Sequence, residues 1–136
     1  MRTTLLFLAL ALSFVSCDPG NNVASDVSQV ASSGTWRVTL FTDSGNDETT
    51  DFSGYSFTFS NGGTITALKN GVSKTGTWSV NTSSNKFIID LSPKDNTNKP
   101  LGELTDDWKI LSASSTEIRL GDDNTASNEF LTFTKN

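Results

Sequence analysis

GYSFTFSNGGTITALKNGVSKTGTWSV, residues 54–80, is the stretch that decides the fold. Tyr55, Phe57 and Phe59 recur at every second position with small polar residues between them. That is the period of a strand with one buried face. Asn61-Gly62-Gly63 supplies a tight hairpin turn, and Thr64 to Leu68 returns along the first strand. Asn70-Gly71 turns the chain again, into Val72 to Val80. Strands joined by such short turns lie side by side and antiparallel.

The same pattern extends in both directions. Upstream, TWRVTLF (Thr35 to Phe41) sets Trp36, Val38 and Leu40 on one face, and the polar loop TDSGNDETTDFS follows. Downstream, Asn81 to Asn85 turns into Lys86 to Leu91, where Phe87, Ile89 and Leu91 share a face. A longer loop holds Pro93 and Pro100. Trp108 to Ser112, Thr116 to Leu120 and Glu129 to Thr134 complete the set. Residues 34–136 are therefore predicted to be all-β, an antiparallel up-and-down eight-stranded β-barrel. Closure would remove both exposed sheet edges. A two-sheet sandwich is the alternative. Strands of about six residues give a barrel about 15 Å tall, and eight strands enclose just enough width for side chains to fill. The predicted inward set is bulky: the residues already named, with Tyr55, Ile65, Trp78, Trp108, Ile110, Ile118, Leu120, Leu131 and Phe133 among them.

The N-terminus has a different grammar. Arg2 precedes an apolar run, Leu5 to Val15, broken only by Ser13, and Ser16 is a small residue at a cleavage point. The run is about half of the ~20 residues that a spanning helix needs. Cys17, the only cysteine, comes next. Phe14-Val15-Ser16-Cys17 resembles a bacterial lipobox, with phenylalanine where leucine is usual. The resemblance implies that residues 1–16 are a lipoprotein signal peptide and that Cys17 becomes the lipid-bearing first residue. A plain secretory signal with an incidental cysteine is the competing reading. Residues 17–33 are polar and aperiodic, and read as a lipid-anchored flexible tether. Val23, Val27 and Val30 offer a second reading there, a short helical turn packed on the domain.

Composition excludes several functions. The chain has no histidine, which removes the usual general base near neutral pH and the commonest zinc ligand. Its net charge is −5, and loss of Arg2 with the signal makes it more negative. That disfavours nucleic acid as a partner, and electrostatic adhesion to anionic headgroups. With Cys17 taken by lipid, no disulfide is possible and the core alone must hold the fold.

Gly34-Thr35-Trp36 opens the first strand, and a second Gly-x-Trp lies in TGTWSV. Together with GYSFTF, NGGTITA, DDWKIL and the closing FLTFTKN, the ordered set resembles the lipocalins. In particular, it resembles the short lipocalin-like domains of Bacteroidetes lipoproteins. The resemblance implies that Gly34 allows a sharp bend into the barrel bottom and that Trp36 plugs the closed end. It also implies a late-strand arginine stacked on that tryptophan. Arg119 is the candidate, although Ile118 and Leu120 beside it favour an outward side chain. In function it implies a small hydrophobic ligand in the barrel or at its mouth. Tyr55 is the ligand-binding candidate, placed at the open end after the polar loop.

Asp43, Asn46, Asp47, Glu48 and Asp51 form an acidic loop that is read as solvated rather than as a calcium site, so no metal site is expected. Asp106-Asp107 and Asp122-Asp123 are neighbouring carboxylates without a catalytic mark. Asn81-Thr82-Ser83 matches a glycosylation sequon. The sequence thus predicts a monomeric, outer-membrane lipoprotein of the cell envelope with no cofactor and no enzymatic activity. The alternative is a filled interaction barrel that contacts another envelope protein or a protease.

Overall fold

The computed structural model describes residues 23–136, so Cys17 and the signal segment lie outside the described residues. Helix α1 spans Val23–Ala31. The strands are β1 (Trp36–Asp43), β2 (Asn46–Asp47), β3 (Ser56–Phe59), β4 (Thr64–Lys69), β5 (Val72–Asn81), β6 (Lys86–Asp90), β7 (Asp106–Ala113), β8 (Glu117–Gly121) and β9 (Phe130–Lys135). Every neighbouring pair is antiparallel, in the order β1-β3-β4-β5-β6-β7-β8-β9, and β9 pairs back onto β1. The domain is a closed eight-stranded barrel; the two-residue β2 folds back antiparallel onto the end of β1. Each predicted strand is present within about two residues of its expected bounds.

The hairpins use the residues that the turns demand. Asn70 and Gly71 both take positive φ, 51° and 76°, as a two-residue hairpin turn of the type that matches strand twist requires. One end of the barrel, the base, carries the start of β1 and the turns after β3, β5 and β7. The other end, the mouth, carries the longer loops 44–55, 91–105 and 122–129.

The base is tightly filled. Phe59 meets Trp78, Phe87 and Phe133 edge-on, with ring centroids 5.3–5.4 Å apart. Trp36 and Trp108 are fully buried. All three indoles are satisfied: Trp36 donates to Ala31 O, Trp78 to Ser60 O and Trp108 to Leu104 O. Such pairing removes the cost of burying an N–H.

Two departures from the expected fold have plain causes. Residues 23–31, expected within the flexible tether 17–33, form α1 instead. Val27 and Ala31 are completely buried in the core cluster, and the helix lies against β5 and β7. Val27 and Ala31, with half-buried Val30 beside them, therefore cap the base. Leu40, expected inward, is only half-buried and faces out, because the β1–β9 register shifts between Val38 and Leu40 and brings Phe41 inside. A bulge reverses alternation in this way.

The β1–β3 seam has only one register pair, Trp36 with Phe57. Above it the polar loop folds back as a wedge. The Phe41 N–H donates to Thr49 Oγ1 (2.9 Å), and Phe52 inserts edge-on against Phe41 at 5.1 Å. This loop is predicted as solvated, yet it brings Phe52 into the core at 2% exposure.

Candidate functional site

Large residues give way to small ones toward the mouth. On β4 the inward positions run from Ile65 through Ala67 to Lys69; on β5 they run from Trp78 through Gly76 to Lys74 and Val72. Gly76 is forced: a Cβ there would come within 2.0 Å of the Asp90 carbonyl oxygen, because β6 crosses that closely. Beside the small Ala67 lies a cavity of about 370 Å³ lined by Tyr55, Ala67, Lys69, Asn70, Val72, Lys74 and Leu101. Leu101, from the 3₁₀ turn Leu101–Leu104, and Ala67 form its buried apolar wall.

Tyr55 immediately precedes β3 and is half-buried, its ring 6.0 Å from Phe57. The Lys69 ammonium lies 4.8 Å from the Tyr55 ring centroid, a cation–π contact. The Lys74 ammonium donates to Asn98 Oδ1 at 3.5 Å. Tyr55 thus sits where the sequence suggested, at the end away from Gly34 and Trp36. The residues around it were not anticipated. Lysines at inward strand positions are hard to read as lining, although the period-two pattern does place Lys69 with Ala67 and Lys74 with Gly76.

The opposite side of the mouth is acidic. Lys94 donates to Glu129 Oε1 at 2.8 Å and lies 4.0 Å from Asp106. Burial pushes the Glu129 carboxyl above its usual range, and the Lys94 bond only partly offsets this. Burial likewise raises Asp106. Desolvation is the largest influence on Lys94 and opposes its charge, but the bond to Glu129 and the charges of Glu129, Asp106 and Glu103 together outweigh it and hold its pKa above the ordinary value. The asymmetry follows exposure: the Glu129 side chain is 8% exposed, that of Lys94 38%.

At the base, Gly34 takes φ +84°, as a turn into β1 requires, and Trp36 is buried as expected. The cation over Trp36 is Lys135 on β9, 5.0 Å from the ring, and not Arg119. Arg119 is exposed on the outer face of β8, since Ile118 and Leu120 take the inward positions.

The remaining candidates do not assemble. Asp106 faces Lys94 whereas Asp107 lies 3.8 Å from Lys86, on the other face of β7. Lys86 also pairs with Asp123. Asp47 Oδ1 accepts the Thr49 N–H at 3.0 Å and so caps its own loop. Among the described residues no three metal-binding side chains converge. Asn81 Oδ1 accepts the N–H groups of Ser83 and Ser84, a turn role.

A shallower groove of about 200 Å³ lies on the outside of the barrel, lined by Leu40, Leu111, Arg119, Leu120, Phe130 and Thr132. The bulge at Leu40 brings that side chain outward beside Leu111, which alternation from buried Ile110 already places on the outer face.

Compared with known proteins, no family model and no curated protein matches the chain. Among solved structures, the chain is similar to a DUF4847 family protein from Bacteroides vulgatus. The TM-score is 0.58 at 19% identity, over 81% of this chain and 97% of that one. A protein from Burkholderia xenovorans aligns with TM-score 0.48 at 15% identity, over 100% and 99% of the two chains. The first likeness supports the barrel fold.

Proposed function

We propose that this protein is a lipid-anchored, lipocalin-like barrel of the cell envelope. In this reading it is tethered to the outer membrane through Cys17 and takes a small apolar ligand at its mouth. The observation that carries the reading is the cavity of about 370 Å³ beside Tyr55. Its size is at the lower end of the ~300–1,000 Å³ typical of ligand sites. The barrel below is packed with aromatic rings, so the ligand rests at the rim and reaches only as deep as Ala67. Anchoring is supported by the order of charged, apolar and small residues before the single cysteine. The protein works as a monomer, without cofactor and without catalysis.

The test is a titration with Nile red, a neutral apolar dye. Saturable one-site binding, weakened in Tyr55→Ala with the circular dichroism unchanged, is the expected result. No saturable binding would refute the reading.

A second reading rests on the outer groove, where Leu111 is 48% exposed and Phe130 40%. In it the barrel docks on another envelope protein or a protease through the β1-β9-β8-β7 face. Crosslinking in cells to a defined protein, lost in a Leu111→Lys, Phe130→Lys double variant, would favour it.

A further inference from the structure

The mouth cavity contains an anomaly that apolar binding alone does not explain. Lys69 shares the core-facing side of β4 with Ile65 and Ala67, and Lys74 shares that of β5 with Gly76 and Trp78. In the register Ala67 pairs with Lys74 and Lys69 with Val72, so the two lysines are diagonal neighbours over the same cavity. Neither forms an ion pair with a carboxylate among the described residues, whereas Lys86, Lys94 and Lys99 each do. Their neighbours there are an aromatic ring and an amide oxygen.

Placing two like charges on one inward patch costs free energy through mutual repulsion and partial desolvation. The chain has a net charge of −5, yet the mouth carboxylates Asp106 and Glu129 face Lys94 instead. A guest anion would offset both costs at once. Resting on this site being the ligand site, we propose that its ligand is an amphiphile with one anionic head. The head, a carboxylate or a phosphate, sits between Lys69 and Lys74. The apolar body lies along Tyr55, Ala67 and Leu101. The acidic far side of the mouth fixes the orientation, because it repels the head from any other seat.

The experiment is a displacement series against Nile red with four probes of equal chain length: dodecanoate, dodecanol, dodecyltrimethylammonium and lauroyl lysophosphatidylglycerol. All are used below their critical micelle concentrations on the full processed protein. Charge-assisted hydrogen bonds to a partly buried lysine are expected to favour the anionic probes over dodecanol by about tenfold or more. Added salt should erode that preference. The Lys69→Gln, Lys74→Gln variant should bring dodecanoate down to the level of dodecanol while leaving dodecanol unchanged. If that variant fails to fold, the headgroup series and its salt dependence decide the question in the wild type. Tighter binding of dodecanoate identifies a free fatty-acid type of ligand. Tighter binding of the lysolipid identifies a membrane-derived one. Dodecanol binding as tightly as the two anions would overturn the anionic head and leave the apolar site standing. Failure of Nile red and every probe to bind would remove the site itself.

Discussion

Trp36→Ala tests whether the base of the barrel is built as described. The side chain is fully buried, its Nε1–H donates to Ala31 O at 2.9 Å, and Lys135 lies over its outer face. Truncating a buried tryptophan costs about 3–5 kcal/mol in lost transfer energy and residual cavity. For a domain of this size, roughly 4 °C of midpoint shift per kcal/mol implies a drop of about 12–20 °C. Trp36→Phe separates the two contributions. It keeps most of the apolar contact but leaves the Ala31 carbonyl without its donor, at a cost of about 1–3 kcal/mol. That loss falls on α1, whose last residue is Ala31. Hydrogen exchange should therefore show the amides of α1 losing protection in Trp36→Phe while those of β5 and β6 keep theirs. Urea unfolding followed by circular dichroism measures the totals. A cost below about 1 kcal/mol for Trp36→Ala would refute the plugged base. Unchanged α1 protection in Trp36→Phe would refute its attachment through the indole.

Gly76→Ala should be among the most damaging single-methyl additions: the new Cβ would meet the Asp90 carbonyl at 2.0 Å, so β6 must shift, at a cost of about 1–3 kcal/mol or more by chemical denaturation. Carboxylate titration by NMR should place Glu129 and Asp106 above the ordinary range and Asp122 below it. A raised folded-state pKa gives stability that is complete below the unfolded value of 4.5 and lost as pH rises through the folded value, so Glu129→Gln should gain on wild type as pH rises through the carboxylate range. A constant difference with pH would contradict this. Cys17→Ala should shift the protein from the membrane fraction to a soluble or unprocessed form, since stable anchoring needs more than one acyl chain's worth of burial; continued fractionation of an unlipidated form with membranes would count against the anchor.

The barrel was legible because its strands alternate cleanly and its turns carry Asn and Gly where φ must be positive. Alternation breaks at Leu40 in β1 and at Ser112 in β7, within otherwise regular strands. A bulge is a property of two strands in register, so one strand's sequence does not announce it. Phe52 was hidden for a similar reason: it lies in a polar loop and becomes core only because the β1–β3 seam is open above Trp36. Val27 was visible as part of a weak stripe with Val23 and Val30, and Ala31 was not, because nine residues make a marginal helix until a surface is there to bury them. Tyr55 was identified from its position after the loop. Its lysine neighbours were not, because the pairing that gathers Lys69 and Lys74 is a register fact.

The inward residues of three consecutive strands describe a taper. From base to mouth, β3 and the residue before it read Phe59, Phe57, Tyr55; β4 reads Ile65, Ala67, Lys69; β5 reads Val80, Trp78, Gly76, Lys74. From Phe57, Ile65 and Trp78 toward the mouth, each loses apolar volume or gains a polar tip. An eight-stranded barrel filled throughout would repeat large side chains at both ends. Here the volume missing at Ala67 borders the cavity, and Leu101, which comes from a loop, walls only one side of it. At Gly76 the backbone of Asp90 and Leu91 already fills the place of a side chain. Ala67 carries no such constraint in the register, since it pairs with Phe57 on one side and Lys74 on the other. A larger residue at Ala67 would therefore fill the cavity from its floor without disturbing the base. Ala67→Leu should keep or raise the unfolding midpoint while abolishing binding at the mouth. A variant that still bound Nile red as well as wild type would show that the cavity beside Tyr55 is not where the ligand goes.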